Sequence, residues 1–140
     1  QRETKPLTAL LLDLDHFKQI NDTRGHAVGD LALQKFAKAM RAVSRAGDQC
    51  CRYGGEEFCV LLNRADTAAV QAYDQRLRDW LRQHAPKKLG FELSYSAGIA
   101  MRLSDDDNIE AMLQRADAAM YTAKQQGRGV TLTGDVCELV

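Results

Sequence analysis

Two glycines followed at once by two carboxylates, Gly54-Gly55-Glu56-Glu57, stand between two short runs of strand-forming residues in the stretch Arg-Tyr-Gly-Gly-Glu-Glu-Phe at 52–58. A Gly-Gly pair between β-runs predicts a hairpin, because both central positions of a type I′ turn need φ > 0, which glycine adopts without strain. The tip then carries bare backbone, so a bulky anion such as a phosphate can approach main-chain N–H groups. Glu56 and Glu57, on neighbouring strand positions, offer hard oxygen ligands of the kind Mg²⁺ takes. A glycine turn with solvated acids on an exposed edge uses the same letters, so the chemistry depends on partners elsewhere in the chain.

Asp13 and Asp15 are the first such partners. They lie two apart at the end of an apolar run and share a face if the strand extends that far. If that strand neighbours the hairpin, Asp13, Glu56 and Glu57 converge, and crowded carboxylates repel unless a divalent cation neutralises them. Asp13 is therefore read as a metal ligand and Asp15 as the N-cap of the next helix. The segment 21–30, from Asn21 to Asp30, sets amide and carboxylate groups around Gly25 and Gly29. An amide meets guanine O6 or N7, and a carboxylate accepts from N1–H and N2–H₂. By itself the same segment also reads as one helix end followed by another helix start.

These residues need a fold to bring them together. The chain has 140 residues, 45% of them hydrophobic, enough for the core of one domain and too few for two. Lys plus Arg and Asp plus Glu number 19 each, so no global field draws the chain to a nucleic-acid polymer or an anionic membrane; a phosphate ligand must be held locally. No apolar run approaches a membrane span. Cys50, Cys51, Cys59 and Cys137 show neither CxxC spacing nor a disulfide framework and read as reduced thiols of a cytoplasmic protein. Cys50 and Cys59 flank the hairpin and are the pair expected to approach each other.

Residues 7–14 form a nearly continuous apolar run, as for a central strand buried on both faces. A short helix is predicted from Asp15 to about 22, with Gly25 as a break, and a longer one over 27–44, where Leu33, Phe36, Met40 and Val43 recur at helical spacing. Strands at 49–53 and 57–62 make the hairpin. A third helix begins at Asp66, buries Val70, Tyr73, Leu77, Trp80, Leu81 and His84, and is stopped by Pro86. Residues 91–101 alternate as a long half-buried strand. A helix over 108–126 turns Ile109, Met112, Leu113, Ala116, Met120 and Ala123 inward, with the acids Asp105 to Asp107 at its positive end, and a short strand follows at 130–133. The order β, α, α, β-hairpin, α, β, α, β predicts an α+β domain. Its central sheet is mixed, largely antiparallel and flanked by helices, the arrangement of ferredoxin-like palm domains. Nothing matches GxxxxGK[ST] or GxGxxG, which argues against a P-loop enzyme or a dinucleotide dehydrogenase.

Four motifs in this order resemble the GGDEF family of diguanylate cyclases. They are Asp-Leu-Asp-His-Phe-Lys-Gln-Ile-Asn-Asp-x-x-Gly-His-x-x-Gly-Asp at 13–30, Arg-Tyr-Gly-Gly-Glu-Glu-Phe at 52–58, Ser-Ala-Gly-Ile-Ala at 96–100, and Ala-Asp-Ala-Ala-Met-Tyr-x-Ala-Lys-x-x-Gly-Arg at 116–128. The resemblance implies condensation of two GTP into cyclic di-GMP with release of two pyrophosphates, between two GTP-loaded domains of a homodimer. It implies that Asp13 and Glu56 bind a catalytic Mg²⁺ pair, with Mn²⁺ as a substitute. Glu57 would assist, and the backbone carbonyl of Leu14 would be a further ligand. Gly54 and Gly55 would accommodate phosphates, Asn21 and Asp30 would read guanine, and Phe17 and Lys18 would lie in the turn that contacts the triphosphate. Lys124 and Arg128 would bind phosphate, although cations near a helix C-terminus also complement its dipole. His26 is read as structural.

Arg45-Ala46-Gly47-Asp48 stands upstream of the hairpin at the offset of the family's RxxD site for inhibitory product, with Arg76 as a second arginine. Arginine forks suit guanine and phosphate, and Asp48 can accept from a guanine N–H. The same residues also read as a helix end with Gly47 after it. Two departures from the family stand out. A Leu-Thr-Gly-Leu-x-Asn-Arg lead-in before the first strand is missing, and Gly129 takes a place where Asn is common. Residues 1–140 are therefore expected to be a single catalytic module from the C-terminal part of a longer protein. Its regulatory domain, and any tether to the inner membrane, would lie outside this sequence. The alternative is a non-catalytic module that binds GTP or cyclic di-GMP and signals through a partner.

Overall fold

A computed structural model describes residues 6–63, 66–104 and 107–134. In chain order the elements are β1 (Thr8–Leu14), α1 (Phe17–Arg24), α2 (His26–Val43), β2 (Gln49–Arg52), β3 (Glu57–Leu62), α3 (Thr67–Leu89), β4 (Tyr95–Met101), α4 (Ile109–Gln125) and β5 (Thr131–Thr133). The strands form one sheet in the order β2-β3-β1-β4-β5. All neighbours are antiparallel except β4 and β5. This is the mixed, largely antiparallel α+β arrangement expected from the order of elements.

β1 is central because both of its faces are apolar. Leu10, Leu12 and Leu14 join Phe58, Val60, Tyr95 and Ile99 in the core under α2 and α3. Ala9 and Leu11 join Cys59 and Ala100 under Met112, Ala116 and Met120 of α4. Period-two alternation then continues along β1 and carries Asp13 to the α4 side at the strand's end. Helix α4 lies so close to β4 that a Cβ at Gly98 would collide with the Ala116 carbonyl. Residues 95–100 of β4 are therefore buried on both sides, and the expected long half-buried strand is corrected to a short fully buried one, with 91–94 outside it.

Expectations for three helices change. α1 begins at Phe17, and its N-cap is His16, in the left-handed region at φ 59° with no side-chain cap; Asp15 is buried in another network. α3 runs through Pro86 to Leu89 and ends at Gly90, whose N–H donates to the Pro86 carbonyl at 2.9 Å. Proline forfeits only one backbone bond, to the carbonyl four residues back, and that residue, Arg82, lies on the exposed side. His84 is exposed rather than core and stacks on Trp80 with ring centroids 4.2 Å apart. In α4, Ile109 is exposed rather than inward, and Ala119 is buried.

Asp66 and Asn108 cap α3 and α4 by accepting from Ala68 N–H and Ala111 N–H at 3.0 and 2.8 Å. Asp107 is tied to Arg115 at 2.8 Å; Asp105 and Asp106 lie outside the described residues, as does Cys137. Cys50, Cys51 and Cys59 are free thiols. The cross-strand partner of Cys59 is Cys51, not the expected Cys50, because alternation turns Cys50 to the opposite face. There its Sγ lies 3.0 Å from Ser44 Oγ.

Candidate functional site

The hairpin between β2 and β3 is built differently from a two-residue type I′ turn. Tyr53 N–H and Gly54 N–H both donate to the Glu57 carbonyl, at 2.7 and 3.1 Å. The loop therefore comprises Gly54, Gly55 and Glu56, and Glu56 belongs to it rather than to the strand. Neither glycine is in the left-handed region, because a longer loop does not impose the type I′ dihedral angles. Their lack of side chains matters for clearance instead. A Cβ on Gly54 would sit 3.3 Å from Glu57 Oε1, and the space around a Gly55 Cβ is open within 4 Å. Arg52 fixes the loop from behind: its Nε donates to the Gly54 and Gly55 carbonyls at 3.1 and 2.9 Å.

Asp13 faces this loop across the sheet. It pairs in register with Glu57 on one side and Ser96 on the other, and Leu14 N–H reaches the Glu56 carbonyl at 3.3 Å. Asp13 is 2% exposed. Lys124 donates to its Oδ2, while its buried Oδ1 has no hydrogen-bond partner. Burial pushes the Asp13 carboxyl above the ordinary carboxylate range despite the opposing pull of Lys124. Glu56 is raised by burial and then by repulsion from Asp13. Glu57 is raised by burial, Asp13 and Asp117 in that order. Asp13 thus lies close enough to both glutamates to raise them, and Glu56 adds to the rise of Glu57.

The α1–α2 corner carries the second group. A Cβ at Gly29 would overlap Asn21 Oδ1 and come within 3.4 Å of Phe17 Cζ. The glycine therefore lets the amide of α1 lie directly on α2, one residue from the exposed Asp30. Phe17 is half-buried against the core. Lys18 is exposed and pairs with Asp22 at 2.9 Å. Asp30 also lines a cavity of about 440 Å³ between α2 and β2, with Leu33, Met40, Arg41, Cys50 and Arg52. His26, the first residue of α2, is exposed.

Beyond α4, Gly127, Arg128 and Gly129 all have positive φ, at 106°, 66° and 70°. A left-handed position suits Gly and, less well, Asn, so Gly129 fits where the family pattern has Asn. The loop keeps Arg128 near enough to Asp13 to oppose the rise in that carboxyl's pKa. Asp15, 6% exposed, holds the far side. It accepts from Ser96 and Ser94 hydroxyls at 2.6 Å each and from Gly129 N–H at 3.0 Å. Assigning Asp15 to a helix cap missed this network. The signal was present in the period-two spacing of Asp13 with Asp15 and of Ser94 with Ser96.

Arg45, Asp48 and Arg76 share a separate groove of about 150 Å³ with Asn63 and Tyr73. Asp48 accepts from Arg45 N–H at 2.8 Å, closing a turn in which Gly47 has φ 93°. Arg76 donates to the Val43 carbonyl at 3.0 Å. Arg45, Asp48 and Arg76 thus stand together in this groove, apart from Asp13, Lys124, Glu56 and Glu57 at the hairpin end, while Asp30 of the α1–α2 corner shares its cavity with Arg52 of the hairpin.

The donor set fits a divalent cation that brings ligands of its own. Among the described residues no three acidic, His or Cys side chains form a cage by themselves. Mg²⁺ is commonly bound through one or two carboxylates plus substrate phosphates. A buried carboxylate oxygen without a hydrogen-bond partner, beside two further acids, meets that description.

A family model for "Diguanylate cyclase, GGDEF domain" matches residues 1–130. Diguanylate cyclase A of Treponema denticola is 38% identical over 130 residues, covering 91% of this chain and 35% of the relative. The chain thus spans about a third of that protein's length. Among solved structures, the active GGEEF domain of a diguanylate cyclase from Vibrio cholerae superimposes with a TM-score of 0.85 at 29% identity, covering 95% of this chain and 85% of the other. The GGDEF domain of DgcB from Caulobacter crescentus, in complex with c-di-GMP, gives 0.84 at 28% identity, with 94% and 80% covered.

The crowding has a measurable consequence for the metal-free protein. A carboxyl whose pKa is raised in the folded state favours folding while protonated, and this contribution disappears as pH rises through the raised value. Glu56→Gln removes one repelling charge. Thermal melts in chelator are expected to show the variant melting above wild type near pH 7.5, with the gain shrinking toward roughly pH 4, where free carboxyls protonate. A variant that melts lower at both pH values would contradict mutual repulsion.

Proposed function

The chain belongs to the GGDEF family of diguanylate cyclases, and from that premise we propose that it condenses two GTP into cyclic di-GMP with release of two pyrophosphates. In each half-reaction a ribose 3′-hydroxyl gives up its proton to solvent or a nearby carboxylate, its oxygen bonds to the α-phosphorus of the other GTP, and the bond from that phosphorus to pyrophosphate breaks. The observation that carries the reading is Asp13: a buried carboxylate, one oxygen on Lys124 and the other without a hydrogen-bond partner, facing Glu56 and Glu57. Glu56, Asp13 and the Leu14 carbonyl are the proposed Mg²⁺ ligands, with Glu57 beside them. Mg²⁺ there would supply Lewis-acid stabilisation of the attacking and leaving oxygens.

The protein's own part is positioning and charge. Asn21 and Asp30 read the guanine edge at the α1–α2 corner. Gly54 and Gly55 leave room for the phosphates, which Lys18, Lys124 and Arg128 neutralise, and Phe17 supports the turn beneath them. One domain presents a single such site, so two must face each other, and the chain is read as one catalytic module of a longer regulated protein. Arg45, Asp48 and Arg76 form the proposed product site: their shared groove offers two guanidinium groups and a carboxylate to a guanine and a phosphate.

Forced dimers incubated with GTP and Mg²⁺ are expected to yield cyclic di-GMP, and Glu56→Ala to abolish the yield. Dimers that bind GTP and form no product would leave the chain a nucleotide-binding module. Arg45→Ala is expected to keep the initial rate of wild type while losing inhibition by added cyclic di-GMP. Unchanged inhibition would remove Arg45 from the product site.

A further inference from the structure

The loop after α4 asks for an explanation that the cyclase reading does not supply. Three consecutive residues, 127–129, have positive φ, and the middle one is not glycine. Such a run is disfavoured for an L-residue and persists only where its surroundings hold it. Its near end is fixed on the helix: Gly127 N–H donates to the Lys124 carbonyl and Arg128 N–H to the Ala123 carbonyl, at 3.4 and 3.1 Å. Its far end is fixed on Gly129 N–H, which is shared by Asp15 Oδ2 at 3.0 Å and Ser96 Oγ at 3.2 Å. Val130 then enters the sheet by accepting from Ala97 N–H at 3.0 Å.

The grip is itself held on three sides. Asp15 is 6% exposed, directly past the end of β1, and its own N–H donates to the Ser94 carbonyl at 2.9 Å. Ser94 and Ser96 each donate a hydroxyl to its carboxylate at 2.6 Å. A buried carboxylate with three donors is a rigid acceptor. It also stands two residues from Asp13 on the same strand direction, so the acid that would face the metal and the loop that carries Arg128 are referenced to one backbone.

We propose that Asp15 is a positioning residue for the triphosphate: with Ser96 it grips Gly129 N–H and so holds Arg128 in its left-handed conformation beside Asp13. Its function is that of a hydrogen-bond acceptor, not of a charge on the substrate or the metal. The inference rests on Arg128 binding phosphate, as proposed above. The conservative variant separates acceptor from charge, because an asparagine amide oxygen still accepts from Gly129 N–H while its amide can donate to Ser96.

The test is equilibrium binding of a non-hydrolysable GTP analogue, with guanosine as the phosphate-free probe, to wild type, Arg128→Ala, Asp15→Ala, Asp15→Asn, Ser96→Ala and the Asp15→Ala/Arg128→Ala double variant. Arg128→Ala and Asp15→Ala are each expected to weaken the analogue by about tenfold and to leave guanosine unchanged. The double variant is expected to be no weaker than Arg128→Ala alone, the mark of two groups acting through one contact. Asp15→Asn is expected to bind like wild type. If Asp15→Ala does not fold, Ser96→Ala carries the same expectation at smaller size, several-fold on the analogue and none on guanosine. Wild-type affinity in Asp15→Ala, multiplication of the two single effects, or loss of guanosine binding would overturn the inference. So would an Asp15→Asn as weak as Asp15→Ala. An Arg128→Ala that binds the analogue like wild type would overturn the phosphate role of Arg128, and the inference with it.

Discussion

The constraint on which this structure turns is a carboxylate, Asp13, placed at the end of a strand buried on both faces. An isolated buried charge is costly, and it persists where it is paired or where ligands complete it. Lys124 pairs one oxygen of Asp13, and the other has no hydrogen-bond partner. Around it, register alone brings up Glu57 from one neighbouring strand and Ser96 from the other. The sheet concentrates negative charge at one end of its most apolar strand, an arrangement that suits the cation and phosphate site proposed above.

The surrounding elements can be understood by what they hold relative to that group. Arg52 ties the carbonyls of the glycine loop; Asp15 ties the loop after α4; Gly29 lets Asn21 rest on α2 beside Asp30. These are contacts between structure and structure that leave Asn21, Asp30, Gly54, Gly55 and Arg128 exposed or half-buried around the buried Asp13. The Arg45 groove lies between the α2–β2 turn and α3, at the end of β3 away from the hairpin. Ser44 there links Cys50 of β2 and Tyr73 of α3, at 3.0 and 2.9 Å. Strand β2 thus borders the groove at one end and clamps the hairpin at the other.

Much of this was legible in the sequence. The apolar run at 7–14, the helical spacing of Leu33, Phe36, Met40 and Val43, and the hairpin signal fixed the order of elements and brought Asp13 to Glu56 and Glu57. What escaped depended on tertiary context. Nothing local says that α4 will cover the Ser96, Gly98 and Ala100 side of β4, so the alternation there reads as half-exposed. Pro86 reads as a stop because the rule concerns one lost bond, and a long helix tolerates that loss on its solvent side. The double glycine suggested a dihedral demand, whereas its use is clearance, since loop length decides the turn. Asp15 resembled a helix cap because its three partners lie far along the chain, in Ser94, Ser96 and Gly129.

In the proposed condensation this site is half of a pair and acts only when two copies of the chain meet over two nucleotides. The most direct measurement is the initial rate of cyclic di-GMP formation, at saturating GTP and Mg²⁺, as the unlinked domain is diluted. The rate is expected to fall with the square of protein concentration while the domains are mostly monomeric. A rate strictly proportional to protein concentration down to the most dilute sample would contradict the account.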